Sequence, residues 1–145
     1  MTGRDLSVRV LQVSSQEEAA DILKGVNVDP YGIEAMLPKM VHLNLLLEDL
    51  ECEAAGIVKR EMLSLGADAA LSRECAGGDA GRRTDVVLMG TLKQIRRFAE
   101  RIAAEPSDLS GIAEAVRGAL EIGRDVIIKE LGHPGDLARE DLLLE

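Results

Sequence analysis

The sequence of 145 residues predicts an α/β fold, a two-layer sandwich in which helices pack on a mixed sheet of about four strands. Short apolar runs with strand character are separated by longer runs of helical spacing, in the order β-α-α-β-α-β-β-α-α. Gly, Pro and Ser mark the boundaries between them. The chain has no Trp, one Tyr and one Phe, so its core must consist mainly of Leu, Val, Ile, Ala and Met.

The first strand is predicted at residues 8–13 (VRVLQV). Ser15 and Glu18 have the spacing of a capping box, which predicts that a helix follows and runs to about Lys24. Gly25 is expected to end that helix, because glycine adopts the left-handed conformation without steric cost.

A second, short helix is predicted after Asp29, whose carboxylate is a suitable N-cap for a helix that begins at Pro30. We expect it to end at Met36 or Leu37, because Pro38 is disfavoured beyond the first helical turn.

The second strand is predicted at residues 41–47, where Val41, Leu43, Leu45 and Leu47 alternate with polar residues. A third helix follows, because apolar residues recur at helical spacing until Gly66. The apolar positions of this helix are Leu50, Ala54, Ile57, Val58, Met62 and Leu65.

Residues 67–72 predict a short strand, and residues 74–83 a mobile, glycine-rich loop. A buried strand is expected at residues 85–90, and the loop that joins it to 67–72 is long enough for the two strands to form a hairpin-like antiparallel pair. The long helical connections elsewhere permit parallel neighbours, hence the prediction of a mixed sheet.

Thr91 is expected to cap a fourth helix that Pro106 ends, and Ser107 to open a fifth helix that stops near Gly123. We therefore predict one domain over residues 1–123. Residues 124–145 are expected to form a tail that is weakly structured or packs on the domain.

The composition excludes several classes of protein. A formal net charge of -9 argues against a nucleic-acid partner. No signal-peptide pattern or membrane span is evident, so we expect a cytoplasmic protein without a membrane partner. Cys52 and Cys75 are expected to be two free thiols. The scattered His and Cys residues predict no metal site, and no cofactor is expected.

Three segments resemble a known family: PYGIEAMLPK at 30–39, KREMLSLGADAALSR at 59–73 and TDVVLMGTLKQ at 84–94. Over roughly residues 8–122 the chain resembles the region that precedes the catalytic barrel in a subset of dihydropteroate synthases. Those enzymes of folate biosynthesis join a pterin pyrophosphate to 4-aminobenzoate. The resemblance implies an accessory α/β segment.

The barrel itself has no counterpart in the sequence. A (β/α)8 barrel takes about 250 residues, and the family's pterin-binding signature is absent, so no catalytic residue can be assigned. We expect a non-catalytic module that binds a barrel partner, a copy of itself, or a pterin or folate ligand. The alternatives are a truncated dihydropteroate synthase, which is a transferase, and a small-molecule sensor.

Four polar residues are the candidates for ligand binding: Lys39, His42, Arg73 and Thr91. They lie at or near predicted strand ends and are suited to receiving an anion. Each also has a simpler structural explanation. Lys39 is explained as a solvated turn residue and His42 as a residue on the polar face of an edge strand. Arg73 is explained as a cap of the sheet and Thr91 as a helix N-cap. For protein contacts we expect an exposed apolar face along residues 109–120, or the tail leucines 142–144.

Overall fold

A computed structural model describes residues 5–77, 81–105 and 109–122. The elements in chain order are α1 (Gln16–Gly25), α2 (Pro30–Met40), β1 (His42–Glu51), α3 (Cys52–Ser64), β2 (Asp68–Leu71), a 3-10 helix (Arg73–Gly77), β3 (Arg83–Thr91), α4 (Leu92–Ala103) and α5 (Ser110–Ile122). None of the helices in these ranges combines the length and the apolar character needed to cross a bilayer.

The strands form a three-stranded antiparallel sheet in the order β1-β3-β2. α3 connects β1 to β2, and β3 lies between them, so the arrangement is a split β-α-β unit. α3 and α4 pack on one face of the sheet, and α5 packs on α4. The predicted α/β class and two-layer arrangement are confirmed. The sheet differs from the prediction in having three strands rather than four and no parallel pair.

The predicted strand at residues 8–13 is absent. These residues form no helix, turn or strand, and no backbone hydrogen bond joins them to another part of the described chain. A strand requires a neighbouring backbone to satisfy its N–H and C=O groups. The sequence pattern alone therefore overestimated the number of strands by one.

The predicted starts of α1 and α2 are confirmed by their hydrogen bonds, whereas the prediction that Leu50 belongs to the third helix is wrong, because Leu50 lies in β1 and α3 begins at Cys52. The hydroxyl of Ser15 accepts from the backbone N–H of Glu18 at 3.1 Å. The Asp29 carboxylate accepts from the N–H of Gly32 at 2.8 Å. These side chains satisfy N–H groups that have no partner within the helix.

The predicted end of α2 is wrong, because the helix continues through Pro38 to Met40. Pro38 has no N–H and so costs α2 one backbone hydrogen bond, but it lies only two residues before the end of the helix. The additional residues bring Val41 into the core, and the carbonyl of Val41 accepts from the N–H of Leu92 at 2.8 Å.

The core lies between the sheet and helices α3, α4 and α5. Its largest fully buried side chains are Phe98, Met62, Leu88, Ile95, Ile102, Val58, Val86 and Val116. The predicted exposed apolar face of α5 is wrong: Leu109, Ala113 and Val116 are buried in this core. Helix α4, rather than a partner, covers that face.

The two cysteines form a disulfide, so the prediction of free thiols is wrong. Cys52 begins α3, Cys75 lies in the 3-10 helix after β2, and their Cα atoms are 5.1 Å apart. That separation is within the normal range for a disulfide. Because β1 and β2 both pair with β3, the ends of these two strands, and with them the two cysteines, come together across 23 residues of sequence.

Several predictions fall outside the described residues. The glycine-rich segment 74–83 begins within the 3-10 helix, and its residues 78–80 are not described. Pro106, Ser107 and Gly123 also lie outside the described ranges, as does the whole of segment 124–145.

Candidate functional site

The sheet face opposite the helices carries an apolar centre. Side chains of a strand point alternately to its two faces. In β1 the residues Leu43, Leu45 and Leu47 point toward the core, as predicted, and Leu46 points away. We use the name open sheet face for the residues Asn44, Leu46, Ala70, Val87 and Met89.

Strand register brings these residues together. Leu46 of β1 lies opposite Val87 of β3, and Val87 lies opposite Ala70 of β2. The next row contains Asn44, Met89 and Asp68 in the same order. The apolar side chains therefore form one patch across all three strands.

The patch remains accessible in the described part of the chain. Leu46 is 47% exposed and Met89 is 36% exposed, whereas Val86 and Leu88 on the helix side of β3 are fully buried. Apolar side chains that stay in contact with water forgo the favourable free energy that their burial would provide. The open sheet face is therefore suited to a further layer.

Acidic residues stand at the margin of the patch. Asp85 precedes Val87 on the same side of β3, and its carboxylate accepts from the backbone N–H of Asp49 at 3.0 Å. Asp68 lies beside Met89, at the other end of the patch. The open sheet face thus has an apolar centre and a polar margin that includes two carboxylates.

The pKa of Asp68 is held below its usual range. The main cause is the hydrogen bond that its carboxylate accepts from the backbone N–H of Ala69 at 2.7 Å. The second cause is the hydrogen bond from Lys59, whose Nζ lies 3.1 Å from the same oxygen. Both interactions favour the charged carboxylate.

His42 and Thr91 are brought together, because they are register partners at one end of β1 and β3. Lys39 lies in the last turn of α2, just before β1 begins. Lys39 and His42 are exposed. The hydroxyl of Thr91 accepts from the N–H of Gln94 at 3.1 Å, so the structural role of Thr91 as an N-cap is present.

Arg73 does not join the other three candidates. It follows β2, whose last residue pairs with Val86 near the start of β3, and Thr91 lies at the other end of β3. The four residues therefore form no single site. Their assignment to ligand binding stays a prediction.

Arg73 instead lines a shallow groove of about 440 Å³ between α3, β2 and the 3-10 helix, together with Lys59, Ser72 and the disulfide. The ammonium group of Lys59 already donates to Asp68 and, at 2.8 Å, to the carbonyl of Ala69. Within the described ranges, no three His, Cys, Asp or Glu residues cluster as a metal ion would require.

The sequence interpretation did not identify the open sheet face. The signal was present in the run Leu45, Leu46 and Leu47, which breaks the alternation of a strand with one polar face. The run from Val86 to Met89 has the same character, although the sequence predicts a buried strand there.

Comparison with known proteins relates the chain to a small part of two much longer ones. It is 31% identical over 110 residues to a probable bifunctional folylpolyglutamate synthase/dihydropteroate synthase of Halobacterium salinarum. The aligned region is 76% of this chain and 13% of that protein. It is 38% identical over 68 residues to the protein of the same description from Haloferax volcanii. This second aligned region is 47% of this chain and 8% of that protein.

No protein-family model matches the chain, and no solved structure matches it. The similarity is thus confined to partial matches with proteins that are described as carrying two folate-related activities.

Proposed function

We propose that this chain is a non-catalytic interaction module related to dihydropteroate synthase, and that its open sheet face docks on the barrel of such an enzyme. The observation that carries the proposal is the apolar patch of Leu46, Val87 and Met89, on which no described helix packs. An antiparallel sheet with one solvated face normally has polar residues there.

The arrangement of the patch supports a protein partner. Protein interfaces combine a desolvated apolar centre with a polar rim, and the open sheet face has both. Asp68 is already paired with Lys59 of the same chain, so it is the rim carboxylate of Asp85 that favours a partner with a basic residue at the matching position. The choice of partner class is our proposal, and it is motivated by the relatives, each of which is described as a probable bifunctional folylpolyglutamate synthase/dihydropteroate synthase.

The chemistry of the described residues supports a module rather than an enzyme. Catalysis needs a nucleophile, a base and a group that orients the base. The sulfur atoms of Cys52 and Cys75 are bonded to each other, and the hydroxyl of Thr91 is used in helix capping. His42 lies exposed at the start of β1.

The test is a calorimetric titration of the purified chain with the dihydropteroate synthase barrel from the same cell. Leu46→Lys and Met89→Lys place charges in the centre of the patch, so each is expected to weaken binding about tenfold or more. Leu63→Lys is the matched control, because Leu63 is 51% exposed on α3, away from the open sheet face.

Equal affinity of all three variants would overturn docking through this face, and absence of binding by the unchanged chain would overturn the choice of partner. A parallel titration with a pterin addresses the sensor alternative. Tight binding of the pterin by the chain alone would favour that alternative.

A further inference from the structure

The N-terminal segment, residues 6–13, has the sequence pattern of a strand but no backbone hydrogen-bond partner in the described chain. Leu6, Val8 and Val10 are 90%, 82% and 91% exposed. From Leu6 to Val10 they alternate with the polar residues Ser7 and Arg9, which is the pattern of a strand with one buried face, and the apolar Leu11 ends this alternation. Two of the three exposed residues are valines, which favour strands.

The outer edge of β1 is the complementary feature. β1 pairs with β3 along one side, and among the described residues no strand pairs with its other side. Its backbone groups there are available to a further strand. Pairing with β3 is regular from His42 to Leu47, a length typical of a strand, before the irregularity between Leu47 and Leu50.

At this edge of the sheet, the core still has apolar surface that solvent can reach. Leu45 and Leu47 are only partly buried, although they point toward the core. The adjacent residues of the central strand, Val86 and Leu88, are fully buried. A strand added beside β1 would place Val8 and Val10 next to these leucines and cover the side of the core that is now accessible.

Hydrogen bonds fix the junction between this segment and the start of α1. The hydroxyl of Ser14 donates to the Glu18 carboxylate at 2.7 Å, and the hydroxyl of Ser15 accepts from the N–H of Glu18. α1 in turn packs on α2. In the single chain this arrangement leaves residues 6–10 exposed rather than on β1.

We infer that residues 6–13 of one chain add to the outer edge of β1 in a second copy, and that the second copy donates its own segment in return. In the described part of the chain both β1 and β2 are edge strands, but β2 has only four residues, so β1 is the edge that matches the length of the donor segment. Each chain then offers one donor segment and one β1 edge, and reciprocal exchange closes the assembly as a two-fold dimer. Main-chain hydrogen bonds provide the affinity, and the alternating valines set the register. The contact uses the edge of the sheet and is independent of the open sheet face.

The first test is the mass of the full chain in solution, measured by sedimentation equilibrium over a range of concentrations. The unchanged chain is expected to dimerise. The double variant Val8→Asp, Val10→Asp is expected to raise the dimer dissociation constant at least about tenfold, because carboxylates are costly on a buried strand face. Val26→Asp is the control, since Val26 is an exposed valine after α1.

Circular dichroism checks that the variants fold, which is expected because Val8 and Val10 lie outside the core. A monomeric unchanged chain would overturn the inference, as would a dimer that the double variant leaves intact. Isotope-filtered NMR on mixed labelled and unlabelled chains adds a geometric readout. Contacts between residues 6–13 and β1 are expected between chains, and purely intramolecular contacts would contradict the exchange.

The two proposals fail separately. If the double variant loses the dimer but retains affinity for the barrel, the edge and the open sheet face act independently. If it loses barrel affinity in proportion to the dimer, docking on the barrel depends on self-association, and the independence stated above is wrong.

Discussion

Arg83 binds two oxygen atoms of Asp49 at the irregular end of β1. Its Nε lies 2.8 Å from Asp49 Oδ1, and its Nη2 lies 2.6 Å from the Asp49 carbonyl oxygen. Asp49 has a φ of 59°, in the left-handed region. The pair therefore holds a β-bulge, which returns Leu50 to the core side of the sheet after two exposed residues.

The bulge predicts an unusual ranking of two substitutions. Asp49→Ala and Asp49→Gly both remove the carboxylate, but only alanine has a Cβ that opposes a positive φ. We expect the glycine variant to be more stable than the alanine variant by about 0.5–1 kcal/mol, the reverse of the usual order in strands. Urea denaturation of both variants measures the difference. A more stable alanine variant would show that the left-handed conformation at residue 49 is absent.

The structural role of Thr91 predicts a difference between serine and alanine. The hydroxyl of Thr91 accepts from the N–H of Gln94, while the Gln94 side chain accepts from the N–H of Thr91 at 2.9 Å. Thr91→Ala is expected to lower the free energy of unfolding by about 1 kcal/mol, and Thr91→Ser to change it little. Thermal unfolding compares the two. Equal loss in both variants would indicate that the threonine methyl group, rather than the hydroxyl, matters.

The lowered pKa of Asp68 predicts a stability change in acid. Because the pKa is lower in the folded state, the charged carboxylate contributes stability above the ordinary value of about 3.9, and this contribution is lost as the pH falls through the folded-state pKa. Asp68→Asn is expected to flatten that part of the curve of unfolding free energy against pH.

An NMR titration of the Asp68 carboxyl group separates the two causes of this shift. Lys59→Met removes the second cause and leaves the hydrogen bond from the N–H of Ala69. The pKa is expected to rise but to stay below the ordinary value. A return to the ordinary value would show that Lys59 alone lowers the pKa.

The disulfide predicts a cost of reduction. Cys52 and Cys75 are separated by 23 residues, and in the chain-entropy view closing a loop of that size stabilises a fold by about 3 kcal/mol. In urea denaturation, the double variant Cys52→Ser, Cys75→Ser is expected to have a free energy of unfolding lower by this amount. Added reductant is expected to leave the stability of the double variant unchanged. Two titratable thiols in the unreduced, denatured chain would contradict the disulfide.

Local signals in the sequence predicted most of the elements. Ser15, Asp29 and Thr91 are predictable as helix caps because a cap depends on residues within one turn. The alternation at 41–47 likewise located most of β1 and its core side. Residues 8–13 carry an equally clear strand pattern, yet a strand needs a partner that no local pattern provides.

The candidate site was harder to predict because it depends on strand order. His42 meets Thr91 and Arg73 does not, since β3 lies between β1 and β2 and runs antiparallel to both. The disulfide follows from the same order. Leu46 belongs to an apolar patch only because Val87 and Ala70 fall into register with it.

The most direct test of docking through the open sheet face is a methyl NMR titration of the chain with the dihydropteroate synthase barrel. Met89 lies in the patch, and Met36 is an exposed methionine of α2 that serves as the control. The proposal predicts that the Met89 methyl resonance shifts or broadens as barrel is added, while that of Met36 stays in place. A change at Met36 with none at Met89 would contradict docking through the open sheet face.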